Sequence, residues 1–384
     1  MLKRYLLAPG PTPVPPEVLL RMAMPIIHHR APDFVPVFES VKNRLKWLYQ
    51  THNDTLILTS SGTGAMTASV NNFFNTGDHV VVVNGGKFGE RWTKICQAYG
   101  LSVTEITVPW GHAINPADVA AALEKDPAVK AVFMQAVETS TGVYHDVEGV
   151  GSVIKNKKDV LFIVDAISAL VAHDLKADAW GVDLMVGGSQ KGLMLPPGLA
   201  FLSVSEKAWE KAEGSKMPHF YFNLKKEREG LKKNSTNFTP AVSLIVGLDA
   251  ALEMLEKEGL QAVFARHARL AHATRQAVSA MGLEIYPSQS PSNSVTAIKA
   301  PEGVDGQEIY KTLREKYGIT AAGGQDKLKG KVFRIAHLGY AGTFDVITAI
   351  AAIEMTLKGL GHPVKLGSGV GAAEEILIEK RTSS

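Results

Sequence analysis

The sequence predicts an α/β protein: a large domain with a mostly parallel, seven-stranded sheet flanked by helices, followed by a smaller α+β C-terminal domain. Three observations predict this class. The chain has 384 residues, more than a single core usually supports. Short apolar runs alternate with helical patterns through its first two thirds. These runs are apolar almost throughout, which is typical of parallel strands that helices cover on both faces.

Seven apolar runs are the predicted strands of this sheet. They lie at residues 55–58, 79–83, 102–106, 130–135, 160–164, 183–186 and 199–204. Helical patterns separate most of them, for example at residues 65–74, 88–99, 116–124 and 147–156. Ligands of such sheets bind beyond the carboxyl ends of the strands. We therefore expect the functional residues in the loops that follow strands.

The predicted C-terminal domain begins after a highly charged stretch, residues 225–234, that interrupts the pattern. Two long helices are predicted, then alternating strands and helices, at residues 241–258, 262–281, 294–299, 306–317, 331–337 and 345–358. We expect residues 1–15 to pack near this small domain, 16–255 to form the large domain, and 256–384 to form the small domain with a polar tail. The glycine-rich residues 367–372 are interpreted as flexible.

Composition excludes several classes of protein. The net charge of +3 comes from 41 basic and 38 acidic residues, which is too balanced for a nucleic-acid or membrane-surface partner. Cys96 is the single cysteine, so an internal disulfide and a multi-cysteine metal site are excluded. No apolar run approaches the roughly 18 residues that cross a bilayer. We expect a cytoplasmic protein without a metal site.

Two chemically distinctive residues follow successive predicted strands. Lys191 comes shortly after a strand that ends in two glycines, where a half-buried amine loses its proton readily and can form a Schiff base. Asp165 ends the preceding strand, and a buried carboxylate needs a cation such as the protonated ring nitrogen of pyridoxal 5'-phosphate (PLP). A surface lysine and a helix N-cap are the alternatives. The two strand ends together indicate a PLP site more specifically than either residue alone.

Three further motifs fit such a site. Ser61-Gly62-Thr63 lies between a strand and a helix, where amides and hydroxyls can hold a phosphate, although a plain loop has the same composition. Phe88 follows a glycine-rich turn and could stack on a flat ring; a core phenylalanine is the alternative. Arg334 interrupts an apolar strand, and its planar fork matches a substrate carboxylate or a structural ion-pair partner.

These motifs and several others resemble the class V PLP-dependent aminotransferases of the alanine–glyoxylate, serine–glyoxylate and serine–pyruvate type. The resemblance spans nearly the whole chain and implies the PLP-transferase fold of type I. The matching segments are Ala8-Pro-Gly10-Pro-Thr12-Pro13, Ser61-Gly-Thr-Gly-Ala65, Gly86-Lys-Phe88-Gly-Glu-Arg91, Glu138-Thr-Ser-Thr141-Gly-Val143, Val164-Asp165-Ala166, Gly188-Ser-Gln190-Lys191, Pro196-Pro-Gly198, Thr239-Pro240 and Phe333-Arg334-Ile335.

The resemblance implies a role for each matching residue. Lys191 resembles the lysine that holds PLP as a Schiff base, and Asp165 resembles the partner of the ring nitrogen. Arg334 resembles the arginine that binds the substrate carboxylate, and Gly10 is expected beside the substrate. The other implied cofactor contacts are Phe88 at the ring face, Thr141 on the ring-hydroxyl side, and Ser61, Gly62, Thr63, Ser189 and Gln190 around the phosphate.

The resemblance also implies a homodimer. Thr239 resembles a phosphate contact that the second subunit donates, which would place the active site at the subunit interface. Some relatives carry a tyrosine three residues before that threonine, whereas this chain has Thr236, so the role of Thr236 stays open. His28-His29-Arg30 has no metal spacing; a pocket lining, a subunit contact and a solvated loop all remain possible readings of it.

The implied activity is a ping-pong transamination from a small amino acid, alanine or serine, to a 2-oxo acid, glyoxylate or pyruvate. Three alternatives stay open. The donor could be 2-aminoethylphosphonate. The reaction could be that of a lyase or cysteine desulfurase, although a desulfurase needs a mobile cysteine beyond the lysine and Cys96 lies far upstream. The chain could also be a catalytically silent binding subunit, against which the intact set of Asp165, Lys191 and Arg334 argues.

Overall fold

The computed structural model describes residues 2–378. Its strands are β1 (Tyr5–Leu6), β2 (Asp54–Ser60), β3 (His79–Asn84), β4 (Ser102–Thr107), β5 (Val129–Gln135), β6 (Val137–Glu138), β7 (Val143–Tyr144), β8 (Leu161–Asp165), β9 (Leu184–Gly188), β10 (Gly198–Val204), β11 (Val295–Lys299), β12 (Ile319–Thr320), β13 (Ala322–Gly323) and β14 (Val332–Ala336). Its α-helices are α1 (Pro16–Met22), α2 (Phe34–Tyr49), α3 (Gly62–Asn71), α4 (Lys87–Ala98), α5 (Pro116–Lys125), α6 (Val147–Ile154), α7 (Glu206–Ala212), α8 (Leu224–Lys232), α9 (Val242–Glu258), α10 (Leu260–Ala280), α11 (Gly306–Tyr317), α12 (Thr343–Gly359) and α13 (Ser368–Leu377). None of the helices in this range is long and apolar enough to cross a membrane.

Seven strands form the main sheet in the order β2-β10-β9-β8-β5-β3-β4. Strand β10 is antiparallel to both of its neighbours, and all other neighbours pair in parallel. Strands β8 and β9 are buried along their whole length, as expected of strands covered on both faces. The predicted seven-stranded, mostly parallel sheet is confirmed.

The parallel strands bring their carboxyl ends to one edge of the sheet. Gln135 at the end of β5 is paired with Asp165 at the end of β8, and Asp165 is paired with Val186 near the end of β9. Strand β2 runs in the same direction, because it pairs antiparallel to β10 as β9 does. The loops after β2, β5, β8 and β9 therefore meet at this edge.

The chain packs around two main hydrophobic clusters. One is formed by buried side chains between Val18 and Val263, and the other by side chains between Leu270 and Leu377 together with Leu7. The antiparallel sheet β11-β14-β13 belongs to the C-terminal part, and β1 pairs in parallel with β12 there. The domain boundaries at residues 15 and 255 remain a prediction.

The charged residues 225–234 lie where the alternation of strands and helices stops, as predicted, and most of them form α8. Asn223 caps this helix by accepting a hydrogen bond from the Lys226 amide, while Leu224 and Leu231 are buried. A helix can be held by such a narrow apolar stripe although most of its residues are charged.

The interpretation of residues 367–372 as a flexible tail is wrong, because they begin α13. This helix packs against α10 and α12. The buried carboxylate of Glu354, on α12, accepts hydrogen bonds from the amides of Gly367, Gly369 and Val370 at 2.6–3.3 Å. These bonds satisfy N–H groups that a helix start otherwise leaves unpaired. The predicted polar tail from residue 379 onward lies outside the described residues.

Candidate active site

One cavity collects residues from the carboxyl edge of the main sheet. Of the residues predicted from the sequence, seven line it: Ser61, Gly62, Thr63, Phe88, Asp165, Gln190 and Lys191. Arg91, Val137, Thr139, Ile167 and Ser168 complete the lining. The loops after β2, β8 and β9 and the first turn of α4 thus contribute to a single site.

Lys191 lies three residues beyond β9, and its amine turns toward the N-terminal segment. Its Nζ donates a hydrogen bond to the carbonyl of Pro9, and its own carbonyl accepts one from the Thr12 hydroxyl at 2.8 Å. A Cβ added to Gly10 would lie 2.5 Å from Nζ, so only glycine allows the segment to approach this closely. Burial lowers the pKa of Lys191 to about 8, with Asp165 opposing this effect and Arg334 reinforcing it.

Asp165 ends β8 with its carboxylate in the cavity. Its Oδ1 accepts a hydrogen bond from the Ile167 amide at 2.8 Å, while no donor among residues 2–378 reaches Oδ2. Burial raises the pKa of Asp165 to about 6, and the amide of Ile167 and the charge of Arg91 oppose this rise. One carboxylate oxygen is therefore available to a cation in the cavity.

The start of α3 presents unpaired hydrogen-bond donors to the cavity. Ser61 precedes the helix, and the amides of Gly62 and Thr63 have no acceptor within the described part of the chain. The Oε1 atom of Gln190, also in the lining, is buried without a hydrogen-bond partner among residues 2–378, but it is an acceptor and adds no donor for an anion. Free amides at a helix start attract anions, so this side of the cavity suits a phosphate.

Phe88 and Arg91 form the wall next to this helix start. The guanidinium of Arg91 lies 4.8 Å from the centre of the Phe88 ring, and its Nη1 donates to the Thr63 hydroxyl at 3.2 Å. Sequence reasoning missed Arg91, although a helix residue three positions after Phe88 shares its face. Thr139 and Ser168 were also missed; both are polar residues that follow the ends of strands, which was the available signal.

Thr141 and Ser189 do not line the cavity. The Thr141 hydroxyl donates to the carbonyl of Glu138 at 3.2 Å. The Ser189 hydroxyl donates to the carbonyl of Pro196 at 2.7 Å and accepts from the Leu199 amide at 3.2 Å. In this structure both hydroxyls hold the backbone around the site.

Arg334 lies on β14, is not among the residues that line the cavity, and contacts the lining residue Thr139. Its Nη1 donates to the carbonyl of Thr139 at 2.8 Å, and its Nε and Nη2 donate to the carbonyl of Gly323 at 3.1 and 2.8 Å. Three of the five N–H groups of an arginine are thus used, which leaves one on each terminal nitrogen. Burial lowers the pKa of Arg334 to about 10, so its side chain stays charged at neutral pH.

Thr239 lies apart from this cavity, in an exposed position. Together with Tyr221, Phe222, Thr236 and Phe238 it lines a second, smaller cavity. The Thr236 hydroxyl donates to the carbonyl of Phe238 at 2.6 Å, so it stabilises a local turn.

The histidine pair at residues 28 and 29 also lies outside the lining of the cavity that contains Lys191 and Asp165. The two rings are 4.7 Å apart, and His29 is buried with an unpartnered Nε2. Within residues 2–378, no group of three or more His, Cys, Asp or Glu side chains is arranged to hold a metal ion.

Comparison with known proteins identifies the family. The family model "Aminotransferase class-V" matches residues 4–336. The chain is 45% identical to a soluble hydrogenase small subunit from Synechococcus sp. (strain PCC 6716), over 98% of both chains. It is 39% identical to an L-aspartate–glyoxylate aminotransferase from Paracoccus denitrificans, over 96% of this chain and 94% of that protein. It is also 39% identical to a serine–glyoxylate aminotransferase from Hyphomicrobium methylovorum, over 99% and 96%.

A solved structure gives the same assignment. The ureidoglycine–glyoxylate aminotransferase from Bacillus subtilis matches with a TM-score of 0.94 and 28% identity, over 98% of both chains. The predicted type I PLP-transferase fold is therefore confirmed. With a family model that covers most of its length and relatives aligned end to end, the chain belongs to the class V aminotransferase family.

Proposed function

We propose that this chain is a PLP-dependent aminotransferase that moves an amino group from a small amino acid, alanine or serine, to a 2-oxo acid, glyoxylate or pyruvate. One observation carries the proposal. The amine of Lys191 and the carboxylate of Asp165, from the ends of neighbouring strands β9 and β8, line the same cavity.

The lining fits PLP at both of its ends. The free oxygen of Asp165 would accept a hydrogen bond from the protonated ring nitrogen, and the first turn of α3 would hold the phosphate. Phe88 would contact the ring face, and Lys191 would bind the aldehyde carbon. When bound, PLP would withdraw electrons from the substrate carbon that carries the amino group, which makes the proton on that carbon acidic.

Lys191 is the group that would move this proton. Because burial lowers its pKa to about 8, an appreciable fraction of the amine is neutral near pH 7 and can accept a proton. Its hydrogen bond to the Pro9 carbonyl gives the amine a resting position beside Gly10, the predicted substrate contact. The same amine could also return the proton to the cofactor-derived carbon to which the amino group is transferred.

Two observations support the choice of substrates. Arg334 has one free N–H group on each of its two terminal nitrogens, and these could bind the two oxygens of a substrate carboxylate. The second observation is the names of the relatives. The names of the Paracoccus, Hyphomicrobium and Bacillus proteins share glyoxylate and differ in the amino donor. Glyoxylate is therefore the best supported acceptor, and alanine and serine are the donors that we propose.

We further propose that the active enzyme is a homodimer. Thr239 is exposed and lies outside its own chain's cavity, as expected of a residue that serves a partner's phosphate site. Its neighbours Phe220 and Tyr221 are also exposed aromatic residues, at 83% and 49%. Measurement of the mass in solution, with PLP affinity compared between wild type and Thr239→Ala, tests this assignment.

Three alternatives differ from this proposal in what they require of the site. A desulfurase would need a reactive cysteine, but Cys96 is fully buried in α4 and burial raises its thiol pKa to about 12. A catalytically silent subunit, which the name of the Synechococcus relative would suggest, has no need for an amine and a carboxylate in one cavity. A 2-aminoethylphosphonate donor differs only at the group that Arg334 binds.

Steady-state transamination tests the proposal. Wild type and Lys191→Ala are assayed with PLP, glyoxylate, and alanine, serine or 2-aminoethylphosphonate as separate donors. We expect turnover with alanine or serine and none in the variant. Wild type that binds PLP without turning over any donor would favour the silent subunit, and equal activity in Lys191→Ala would refute the mechanism.

A further inference from the structure

Glu138 is a fully buried carboxylate that the chemistry above does not use. Its Oε2 accepts hydrogen bonds from the amides of Phe88 and Gly89 at 3.0 and 3.1 Å, and from the side chain of Gln135 at 3.1 Å. The two amides belong to the first turn of α4. This carboxylate therefore caps the helix that carries the aromatic wall of the cavity.

Ser140 extends the same cap. Its amide and its hydroxyl both donate to Oε1 of Glu138, and its hydroxyl oxygen accepts from the Lys87 amide at 3.2 Å. The amides of three consecutive residues, 87, 88 and 89, thus donate hydrogen bonds to one two-residue unit, Glu138 and Ser140. The position of the Phe88 backbone depends on this unit rather than on a residue of its own helix.

Gly86 shows how closely the helix start approaches the carboxylate. A Cβ added at this position would lie 2.5 Å from Cδ of Glu138 and 2.6 Å from the Ser140 hydroxyl oxygen. Real Cβ atoms do not approach other atoms this closely, so the contact requires glycine. Gly86, in the turn before α4, therefore leaves the space that the Glu138 side chain occupies.

The segment around Glu138 also contacts Arg334, the proposed carboxylate-binding residue. Thr139, the next residue, accepts the Nη1 hydrogen bond of Arg334 on its carbonyl, and its hydroxyl donates to Ser168 at 2.8 Å. The negative charge of Glu138 also favours the charged form of Arg334, against the burial that lowers the arginine's pKa. The turn at residues 138–140 thus contacts both the start of α4, which carries Phe88, and Arg334.

The contacts of Glu138 suit an ionised carboxylate. Its oxygens accept hydrogen bonds from three backbone amides and from the Gln135 side-chain amide nitrogen, none of which can accept in return, and from the Ser140 hydroxyl. Burial raises the pKa of Glu138, and the hydrogen bonds oppose this rise. Glutamine has the same shape but replaces one acceptor by an N–H₂ group, and it cannot satisfy both sets of donors.

We propose that Glu138 is a positioning residue that couples the two halves of the site: it fixes Phe88 through the start of α4 and fixes Arg334 through the carbonyl of Thr139. This inference rests on the proposed function for the roles of Phe88 and Arg334, but the contacts that carry it are independent of any cofactor.

Hydrogen–deuterium exchange in cofactor-free protein tests the structural half. In Glu138→Gln, the peptide that covers residues 85–92 should exchange about tenfold faster than in wild type, since hydrogen bonds to a charged group are among the stronger ones. Asp305→Asn is the matched control, because it also neutralises a carboxylate that caps a helix, at α11, far along the chain. The control should leave residues 85–92 unchanged.

Ligand binding tests the functional half. Glu138→Gln should bind PLP about tenfold more weakly and raise the KM for the amino donor about tenfold, while kcat changes less than about threefold. A residue that only stabilised the fold would lower Tm without moving KM in the protein that stays folded. Ser140→Ala, which removes one hydroxyl from the same unit, should show the same pattern more weakly and covers the case in which Glu138→Gln does not fold.

The outcomes separate this inference from the proposed function. Unchanged exchange at residues 85–92 together with wild-type PLP affinity and KM, in both Glu138→Gln and Ser140→Ala, would overturn it. If wild type itself neither binds PLP nor turns over, the proposed function fails, while faster exchange at residues 85–92 in Glu138→Gln would still support the capping of α4 by Glu138. Faster exchange with a raised KM in a working enzyme supports both.

Discussion

Replacing Lys191 by methionine should make the cofactor-free protein more stable at neutral pH. The Lys191 amine is buried, and burial lowers its pKa from 10.5 to about 8. A lowered lysine pKa means that the folded state holds the proton less tightly than the unfolded state does, so the charged amine opposes folding. Methionine has a similar length and no charge, so it should remove this opposition.

The magnitude follows from the pKa. One pKa unit corresponds to about 1.4 kcal/mol, so the difference between 10.5 and about 8 corresponds to about 3.4 kcal/mol below pH 8. This figure is an upper limit, because part of the Lys191 side chain is exposed to solvent. The variant also loses the hydrogen bond from the charged amine to the Pro9 carbonyl, which offsets about 2 kcal/mol. We expect a net gain of about 1 kcal/mol at pH 7.

The pH dependence gives a second test of the same reasoning. The destabilisation by Lys191 is complete below pH 8, decreases between pH 8 and 10.5, and is absent above. Urea unfolding of cofactor-free wild type and Lys191→Met, at pH 7 and above pH 10, should therefore show an advantage of the variant only at pH 7. Lys257→Met, at a lysine 74% exposed on α9, is the control and should change stability by less than about 0.5 kcal/mol. A variant less stable than wild type at pH 7 would refute the argument.

Three further predictions concern single side chains. Asp165→Asn should lower kcat about 100-fold or more with PLP bound, because an amide cannot keep the ring nitrogen protonated; a kcat within threefold of wild type would exclude the assigned role. Arg334→Gln should raise the donor KM about 10- to 100-fold in steady-state assays, because two charge-assisted hydrogen bonds to the carboxylate are lost; an unchanged KM would place the carboxylate elsewhere. Glu354→Gln should destabilise the protein by about 1–3 kcal/mol in thermal unfolding, because three amides at the start of α13 lose a charged acceptor. Glu375→Gln, at an exposed position, is the control and should have no effect. Equal melting temperatures of the two variants would contradict this account.

The fold was largely predictable because parallel strands buried on both faces read as continuous apolar runs. Strand β3, His79–Asn84, is such a run and was predicted almost to its ends. The antiparallel direction of β10 was not predictable in this way, because direction depends on the connection and not on side-chain pattern. No helix was predicted before residue 50, although Phe34, Phe38, Val41, Leu45 and Leu48 on α2 follow a helical period.

The candidate site was predictable where a residue's chemistry conflicts with its surroundings. Lys191, Asp165 and Arg334 are charged residues within or next to apolar strands, and a charge in such a position indicates a binding or catalytic role. The roles of Thr141 and Ser189 were not predictable in this way. A hydroxyl can form a hydrogen bond with a backbone carbonyl or with a ligand, and only the geometry of the turn shows which of the two it does. Glu138 lies within one of the motifs that resemble the family, but its role depends on contacts with a helix start 50 positions earlier in the chain.

The visible absorption spectrum of the purified protein tests the central claim most directly. Protein incubated with PLP and freed of excess should be yellow, lose this band on addition of alanine or serine, and regain it on addition of glyoxylate. Lys191→Ala treated in the same way should not complete this cycle. A wild-type protein that stays colourless with PLP, or whose band does not respond to any amino donor, would contradict the assignment of Lys191 and Asp165 as the catalytic pair.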